Sequence, residues 1–318
     1  MKLYGKDGLK QRLDGIAAKG RLSHAILLSG HEGCGKKTLA LYIAQLFLCE
    51  SRACGQCAAC RNIENRNHPD VIFVKEQCGG KYATDPLRVV LRDTAVMPNN
   101  GDLKIYVFEE AETMQPKRLN MLLKLIEEPP AHLRFILTCE NTSLIPETIL
   151  SRVTEFEVPD TSAQDCARCL IDSGAAPKQA KELSEMFAGN IGKCRAVLDG
   201  SGETRLIEIA RKTAAAVGKR DKFGAASALS ALTTQKDRKD LAQVMEYVSR
   251  IIRDALALKC GGEAEFFGKA ESQKIAESFT EDEILTMLEV SFEIVKNEIY
   301  NLNLSLTAVY FTSKIFDG

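Results

Sequence analysis

The residues with the clearest chemistry form a glycine-rich loop, Gly30-His31-Glu32-Gly33-Cys34-Gly35-Lys36-Lys37-Thr38. It matches a phosphate-binding loop, in which glycines turn backbone N–H groups toward phosphates and a lysine reaches the terminal phosphates. The fitting residues are Gly30, Gly33, Gly35 and Lys36. Lys37, however, stands where the pattern has a Mg²⁺-binding hydroxyl, and an ammonium group has no lone pair for a metal. Thr38 comes one residue late, about 100° further round a helix. The loop therefore predicts a nucleotide-binding fold and argues against normal Mg·ATP chemistry.

The segments that must position this loop have the required order. Residues 25–28 are a short apolar run typical of a buried strand, and residues 39–48 predict a helix. A second apolar run, 103–108, leads into Glu109 and Glu110. An acidic pair after a buried strand holds Mg²⁺ in P-loop NTPases, where the first residue is usually Asp. The alternative is a helix start enriched in acids by the helix dipole.

Four cysteines form the second candidate site, with the spacing C-x4-C-x2-C-x2-C. They are Cys49, Cys54, Cys57 and Cys60. Tetrahedral zinc takes four thiolates, and C-x2-C turns place two on one ion, so we predict a structural zinc site at about residues 49–60. The alternative is incidental buried cysteines. A separate pair, Cys166 and Cys169, fits a helical face and is not assigned to metal.

Composition limits the function classes. The 318 residues contain 42 Lys and Arg against 43 Asp and Glu, which argues against a protein that coats nucleic acid with positive charge. A zinc-knuckle nucleic-acid binder would need aromatic residues among its basic ones, and none lies between Phe47 and Phe73. We find no signal sequence and no apolar run of membrane-spanning length, so we expect a cytoplasmic protein with reduced cysteines and no membrane partner.

The remaining sequence predicts three domains. Residues 1–160 form the α/β nucleotide-fold domain, 161–203 a small helical lid and 204–318 a helical domain. One apolar stripe in the last domain includes Val244, Val248, Ile251 and Ile252, and another includes Leu285, Leu288, Phe292, Val295 and Ile299. Such stripes are normally core.

These motifs, in this order, resemble the delta-prime subunits of bacterial DNA polymerase III clamp loaders, which are AAA+ proteins. The resemblance runs from about residue 21 to 153 and includes the glycine-rich loop, the four cysteines and several further segments. These are 68–70 (His-Pro-Asp), 85–88 (Asp-Pro-Leu-Arg), 120–130 (Asn-x-Leu-Leu-Lys-x-Ile-Glu-Glu-Pro-Pro) and 151–152 (Ser-Arg). It implies an α/β P-loop AAA+ domain with a zinc knuckle, followed by a helical lid and an all-α collar domain for oligomerisation.

The resemblance also implies roles. Arg152, which by itself reads as a surface ion-pair residue, corresponds to an arginine finger that acts in trans on ATP held by a neighbouring motor subunit. Lys193 lies where AAA+ lids carry a basic phosphate sensor, although an ordinary loop lysine fits equally. The partners would be motor subunits and a delta-type subunit in a hetero-oligomeric ring, with the sliding clamp and primed DNA reached through the complex.

The expected type of clamp-loader subunit, motor or delta-prime, depends on the residues at the Mg²⁺ site. Motor subunits are expected to carry Thr after Gly-Lys and Asp-Glu at the strand end, whereas this chain has Lys37 and Glu109. We therefore expect a non-hydrolysing, delta-prime-type subunit with a degenerate P-loop. The alternative is an active motor-type ATPase in which Thr38 restores Mg²⁺ binding through a shifted loop.

Overall fold

The chain divides into two compact units. The computed structural model describes residues 2–75, 90–91, 93–94, 96–200, 202–232, 238–264, 268–296 and 304–316. The first unit comprises Met1–Ala180 and Ala188–Gly192, and the second comprises Lys181–Phe187 and Lys193–Gly318. The predicted boundaries at residues 160 and 203 remain a prediction, and the motif at 85–88 lies outside the described residues.

The first unit is a five-stranded parallel sheet covered by helices. Its described elements are α1 (Asp7–Ala18), β1 (Ala25–Ser29), α2 (Lys36–Leu48), α3 (Ala58–Glu64), β2 (Val71–Lys75), β3 (Lys104–Glu109), α4 (Pro116–Glu127), β4 (Leu133–Cys139), α5 (Glu147–Leu150), β5 (Thr154–Glu157) and α6 (Ala163–Asp172). Short 3-10 turns follow β3 (Ala111–Thr113) and β4 (Thr142–Leu144). The predicted parallel α/β fold, with its cysteine group and the helical region that follows, is confirmed.

The strand order places the glycine-rich loop at a functional edge. The order is β2-β3-β4-β1-β5, with β1 paired in parallel to β4 and β5. Ligands of open α/β sheets bind beyond the carboxyl ends of the strands, where the strand order reverses. The loop after β1 and the acids after β3 both lie at that edge.

Alternation along the strands builds the two faces of the core. Ile26 and Leu28 of β1 pack on one face with α1 and α2, whereas Ala25 and Leu27 pack on the other with α4. Because both faces are covered, β1 is buried along its whole length. This explains why the strand is a continuous apolar run and why the sequence marks it clearly.

The second unit is helical in the part of it that the structure describes. Its elements are α9 (Gly202–Gly218), α10 (Lys222–Leu229), α11 (Arg238–Lys259), α12 (Lys269–Ser278), α13 (Glu281–Lys296) and α14 (Leu304–Phe316), while α7 (Pro177–Met186) and α8 (Ile191–Leu198) each begin in the first unit. Helix α11 is central and contacts α9, α12 and α13. Its predicted stripe is buried, at Val244, Val248, Ile251 and Ile252.

The second predicted stripe is only partly core. Leu288 is buried, but Leu285 and Phe292 are 46% and 58% exposed. The buried face of α13 consists instead of Ile284, Met287, Leu288, Val290, Ser291 and Ile294. The buried face of α13 thus includes Ser291 and excludes Phe292. The spacing of apolar residues alone does not predict this arrangement. No described helix combines the length and apolar character needed to cross a membrane.

Candidate functional site

The glycine-rich loop has the backbone that its sequence predicts. Gly30, Gly33 and Gly35 have positive φ angles of 148°, 76° and 101°, which residues with a Cβ rarely adopt. Gly35 is the N-cap of α2, so the first amides of this helix point into the loop. Lys36, nearly buried, donates from Nζ to the carbonyls of Gly30 and of His31, the latter at 2.8 Å. The ammonium group thus lies inside the loop.

Asn190 covers the outer side of this loop. Its Nδ2 donates to the carbonyl of Glu32 at 2.6 Å. A Cβ added to Gly33 would lie 2.0 Å from Asn190 Oδ1, so Gly33 is required both for its φ and for this close approach. The sequence analysis selected Lys193 as a candidate phosphate sensor, but Asn190, three residues before it, is the residue that contacts the loop.

Lys37 binds the acidic pair. Its Nζ is 2.9 Å from Glu110 Oε1 and 3.4 Å from Glu109 Oε2. Burial by itself would lower the pKa of Lys37, but the hydrogen bonds and charges of both carboxylates outweigh burial and raise that pKa above its ordinary value. The ammonium form therefore predominates at neutral pH.

The backbone at the end of β3 turns sharply to bring both carboxylates to the loop. Glu109 is the last strand residue and is 6% exposed, and Glu110 has a left-handed φ of 56°. The N–H of Glu110 donates to the buried Thr138 hydroxyl of β4 at 3.0 Å, which fixes this unusual conformation. Non-glycine residues held in this region often mark functional sites.

Arg66 is a site residue that the sequence did not identify in this role. Its Nη2 lies 2.9 Å from Glu109 Oε1, and its guanidinium lies 4.6 Å from the centre of the Phe73 ring. Arg66 follows α3, far from Glu109 in sequence, and has a left-handed φ of 56°. No local motif signals such a contact, since only the folding of the cysteine segment onto the sheet creates it.

The four predicted cysteines come together. The Sγ atoms of Cys49, Cys54, Cys57 and Cys60 all lie within 4.8 Å of one another, and no other such group occurs among the described residues. The Cys49 sulfur is 3.6 Å from that of Cys54 and 3.7 Å from that of Cys57. Four thiolates around one zinc ion, with Zn–S bonds of about 2.3 Å, are separated by about 3.8 Å. The group therefore fits a tetrahedral metal ion.

The electrostatics of this group also favour a cation. Backbone N–H groups of Gln56 and Cys57 point at the Cys54 sulfur and lower the pKa of that thiol to about 6. Burial raises the pKa of Cys60 to about 12, so this thiol needs a nearby positive charge to ionise. A bound metal ion would supply that charge.

Arg152 belongs to a different group of side chains. Its Nε is 2.6 Å from Glu127 Oε1, and its Nη1 donates to the Thr148 carbonyl and to the Ser151 hydroxyl, both at 2.9 Å. The Arg152 side chain is 39% exposed. Helices α4 and α5 thus present a guanidinium at the surface with its orientation fixed by three partners.

The remaining predicted positions are Lys193, the pair Cys166 and Cys169, and Thr38. The Nζ of Lys193 is 3.7 Å from Glu246 Oε2 and 5.7 Å from the centre of the Tyr247 ring, all within the second unit. Cys166 and Cys169 are buried on α6, as expected for a helical face. Thr38 is half-buried on α2.

Comparison with known proteins identifies the first unit. A family model described as "DNA polymerase III, delta subunit" matches residues 5–162. The DNA polymerase III subunit delta' of Bacillus subtilis is 29% identical over 171 residues, covering 53% of this chain and 52% of that protein. The DNA polymerase III subunit gamma of Buchnera aphidicola subsp. Baizongia pistaciae is 32% identical over 155 residues, covering 48% and 41%.

One relative aligns with most of the chain. The DNA polymerase III subunit tau of Bacillus subtilis is 27% identical over 306 residues, covering 88% of this chain and 53% of that protein. The chain spans a fifth to about half the length of these and the other gamma and tau relatives that it matches.

A solved structure supports the fold alone. The gamma subunit-related protein of DNA polymerase III from Thermotoga maritima gives a TM-score of 0.50 at 16% identity, covering 96% of this chain and 98% of that one. The P-loop geometry, the cysteine group, the family match and these relatives lead to one conclusion. The chain belongs to the family of DNA polymerase III clamp-loader subunits that includes delta-prime, gamma and tau, with an AAA+ fold.

Proposed function

We propose that this chain is a delta-prime-type subunit that helps load the sliding clamp onto primed DNA without hydrolysing ATP itself. The observation that carries the proposal is the ion pair of Lys37 with Glu109 and Glu110, which places an ammonium group where a motor subunit needs a metal. The match to a delta-subunit family model supports this assignment.

An active motor subunit is the second candidate. The gamma relatives reach 35% identity, above the 29% of the delta-prime relative, and Thr38 supplies a hydroxyl one residue after Lys37. This candidate requires the start of α2 to shift so that Thr38 replaces Lys37 beside the acidic pair. The ion pairs of Lys37 oppose such a shift, and for this reason we favour the delta-prime role.

In the proposed assembly, Arg152 acts in trans on ATP bound by a neighbouring motor subunit. Its surface position and its three fixed contacts support this role, because a guanidinium neutralises transition-state charge only when correctly oriented. The other partners are a delta-type subunit, the sliding clamp and primed DNA. A subunit that acts in bacterial DNA replication works in the cytoplasm, so we propose a cytoplasmic location for this chain.

Two structural roles complete the proposal. The four cysteines hold one zinc ion, which stabilises the segment between α2 and α3 and has no open position for catalysis. The helical region 204–318 serves as the collar through which subunits of the ring associate. Its exposed apolar side chains, such as Phe292, support an interface there.

The test is ATP turnover by the chain alone and by the loader assembled with its motor partners, for the wild type and Arg152→Ala. We expect no turnover by the chain alone. In the complex, Arg152→Ala should remove the turnover at one site, since an arginine finger contributes about 10³-fold or more to kcat. Arg168→Ala, which removes another exposed arginine of the first unit, is the control and should leave turnover unchanged.

Two results would contradict the proposal in different ways. Equal turnover of the wild-type and Arg152→Ala complexes would remove the finger role. Turnover by the chain alone, abolished by Lys36→Ala, would identify a motor subunit and reject the delta-prime assignment.

A further inference from the structure

The place of the metal ion in this P-loop site is filled by the chain's own cations. In P-loop NTPases, Mg²⁺ is held by the hydroxyl after the P-loop lysine and by the acidic residue at the strand end. Here both positions are altered, to Lys37 and Glu109. The Lys37 ammonium lies between the two carboxylates, 2.9 Å from one and 3.4 Å from the other. The residues present therefore do not fit Mg²⁺.

Arg66 completes this arrangement from the other side. Glu109 is almost completely buried, and its two oxygens face different cations, Oε1 the Arg66 guanidinium and Oε2 the Lys37 ammonium. The two negative charges of Glu109 and Glu110 are balanced by the two positive charges of Lys37 and Arg66. A divalent ion would therefore have to displace a paired ammonium or guanidinium group. Displacing a partner from a buried carboxylate is costly because it exposes an uncompensated charge.

We propose that Lys37 and Arg66 are the resident cations of this site, replacing the divalent metal, so that the folded first unit neither binds Mg²⁺ at Glu109 and Glu110 nor depends on it. This inference deepens the degenerate P-loop of the proposed function, and it does not rest on the role of Arg152. It follows that any phosphate taken by the loop is neutralised by Lys36 and backbone amides, without a metal.

A change at position 37 should reverse this situation. Lys37→Thr restores the hydroxyl of the P-loop pattern and leaves Glu109 and Glu110 close together with Arg66 as the remaining cation. Two neighbouring carboxylates with insufficient counter-charge repel each other, and a divalent cation relieves that repulsion. The variant should therefore gain stability from Mg²⁺ by mass action, which the wild type does not.

The experiment uses the full chain, with the cysteine site saturated with zinc, as wild type, Lys37→Thr and Lys2→Thr. Lys2 forms a 2.8 Å pair with Asp172 away from the loop, and its replacement controls for the loss of an ion pair. Melting temperatures are measured with EDTA-free buffer and with millimolar MgCl₂ at constant ionic strength. Mn²⁺ binding is followed by its electron paramagnetic resonance signal.

We expect the wild type and Lys2→Thr to show no Mg²⁺-dependent melting and no Mn²⁺ binding in the millimolar range. Lys37→Thr should melt a few degrees lower without Mg²⁺, recover with it, and bind Mn²⁺. The double variant Lys37→Met, Glu110→Gln removes one charge of each sign. It should regain stability without becoming sensitive to Mg²⁺, which keeps the test decisive if Lys37→Thr does not fold.

Binding of Mn²⁺ by the wild type as tightly as by Lys37→Thr would overturn the proposal, as would a Lys37→Thr protein that melts like the wild type and binds no Mn²⁺. Because these measurements use the chain alone, they are separate from turnover in the assembled loader. A result that contradicts the metal-replacement proposal would leave the test of Arg152 in the loader unaffected. A negative result for Arg152 would likewise leave the metal-binding measurements unaffected.

Discussion

At the scale of single residues, Glu127 explains part of a motif that otherwise has no assigned role. The segment 120–130 ends in Glu-Glu-Pro-Pro, and its first glutamate accepts from Arg152 Nε at 2.6 Å. Ser151, the residue before Arg152, contacts Nη1. Both therefore position the guanidinium. The ion pair of Glu127 with Arg152 is partly exposed, so its contribution to stability is small, about 0–1 kcal/mol. A change in activity on mutation of Glu127 would therefore report the orientation of the guanidinium and not a loss of stability.

We expect Glu127→Gln to reduce kcat about 10-fold at the neighbouring ATP site to which Arg152 contributes in the assembled loader. This reduction is smaller than the one expected for Arg152→Ala, because the guanidinium remains but is less well oriented. KM for ATP should stay the same, since the nucleotide is held by the neighbour. Steady-state kinetics with Glu128→Gln as the control checks this. Unchanged kcat in Glu127→Gln, alongside a loss in Arg152→Ala, would show that Glu127 does not position the finger.

Asp93 is a second residue whose effect can be predicted. Its carboxylate accepts from the Tyr106 hydroxyl at 2.8 Å and pairs with the buried Lys104 ammonium at 2.9 Å. Burial would raise the pKa of Asp93, but these hydrogen bonds and the lysine charge outweigh burial and lower that pKa below its ordinary 3.8. A carboxyl with a lowered pKa stabilises the fold at pH values above its unfolded pKa. That contribution is lost as the pH falls through the folded pKa.

Asp93→Asn should therefore lower the free energy of unfolding by about 2 kcal/mol at neutral pH. This is less than the roughly 3–5 kcal/mol of a fully buried pair, because the Asp93 carboxylate is 30% exposed. The difference from wild type should shrink as the pH falls below about 4. Urea unfolding at several pH values measures it, with the exposed Asp102→Asn as the control. If the difference in free energy of unfolding between the wild type and Asp93→Asn stays constant with pH, the effect comes from packing and not from the charge of Asp93.

At the scale of elements, the cysteine group and the P-loop site are joined by helix α3. Cys57 is the N-cap of α3, and Arg66 follows the end of the same short helix. A metal ion bound by Cys57 and Cys60 would fix the start of α3, and the helix would then carry Arg66 to Glu109. Through this connection, a metal ion bound by the cysteine group would have a structural role in the neighbouring site.

Cys57→Ser tests this role cleanly, because serine is itself a favourable N-cap and retains the cap of α3 while weakening metal binding. We expect loss of bound zinc and a fall of about 2–4 kcal/mol in the free energy of unfolding. That is small beside the roughly 10–16 kcal/mol of isolated zinc-binding peptides, since the sheet has hydrophobic core clusters that do not include these cysteines. Metal analysis and urea unfolding check it, with the exposed Cys260→Ser as the control. Equal stability and no metal in either protein would reject a structural zinc site.

The elements also show which features the sequence could predict. Strands β1 and β3 are largely apolar runs that are buried along their whole length, and both were predicted to within two residues. The cysteine group was predictable because its ligands are neighbours in sequence. The pairing of Arg66 with Glu109 and of Glu127 with Arg152 was not, since each joins separate elements and depends on how those elements pack.

At the scale of the whole molecule, the helical unit carries apolar surface that its own core does not use. Leu285 and Phe292 lie seven residues apart on α13, and so on one face, and Val309 of α14 is 56% exposed. Exposed apolar side chains that are grouped on one face of a protein mark an interaction surface. This agrees with the proposed collar, where neighbouring subunits would bury them.

Phe292→Asp should leave the isolated chain folded, with a melting temperature close to that of the wild type, because the side chain is already exposed. It should nevertheless prevent entry into the hetero-oligomeric loader, since truncating an aromatic anchor commonly costs about 2–4 kcal/mol of binding and a buried carboxylate adds to that loss. Thr286→Asp, at another exposed position of α13, is the matched control and should assemble normally. Mass photometry of equimolar mixtures measures the assembled fraction. A Phe292→Asp chain that assembles as well as Thr286→Asp would place the oligomerisation surface on a different face of the helical unit.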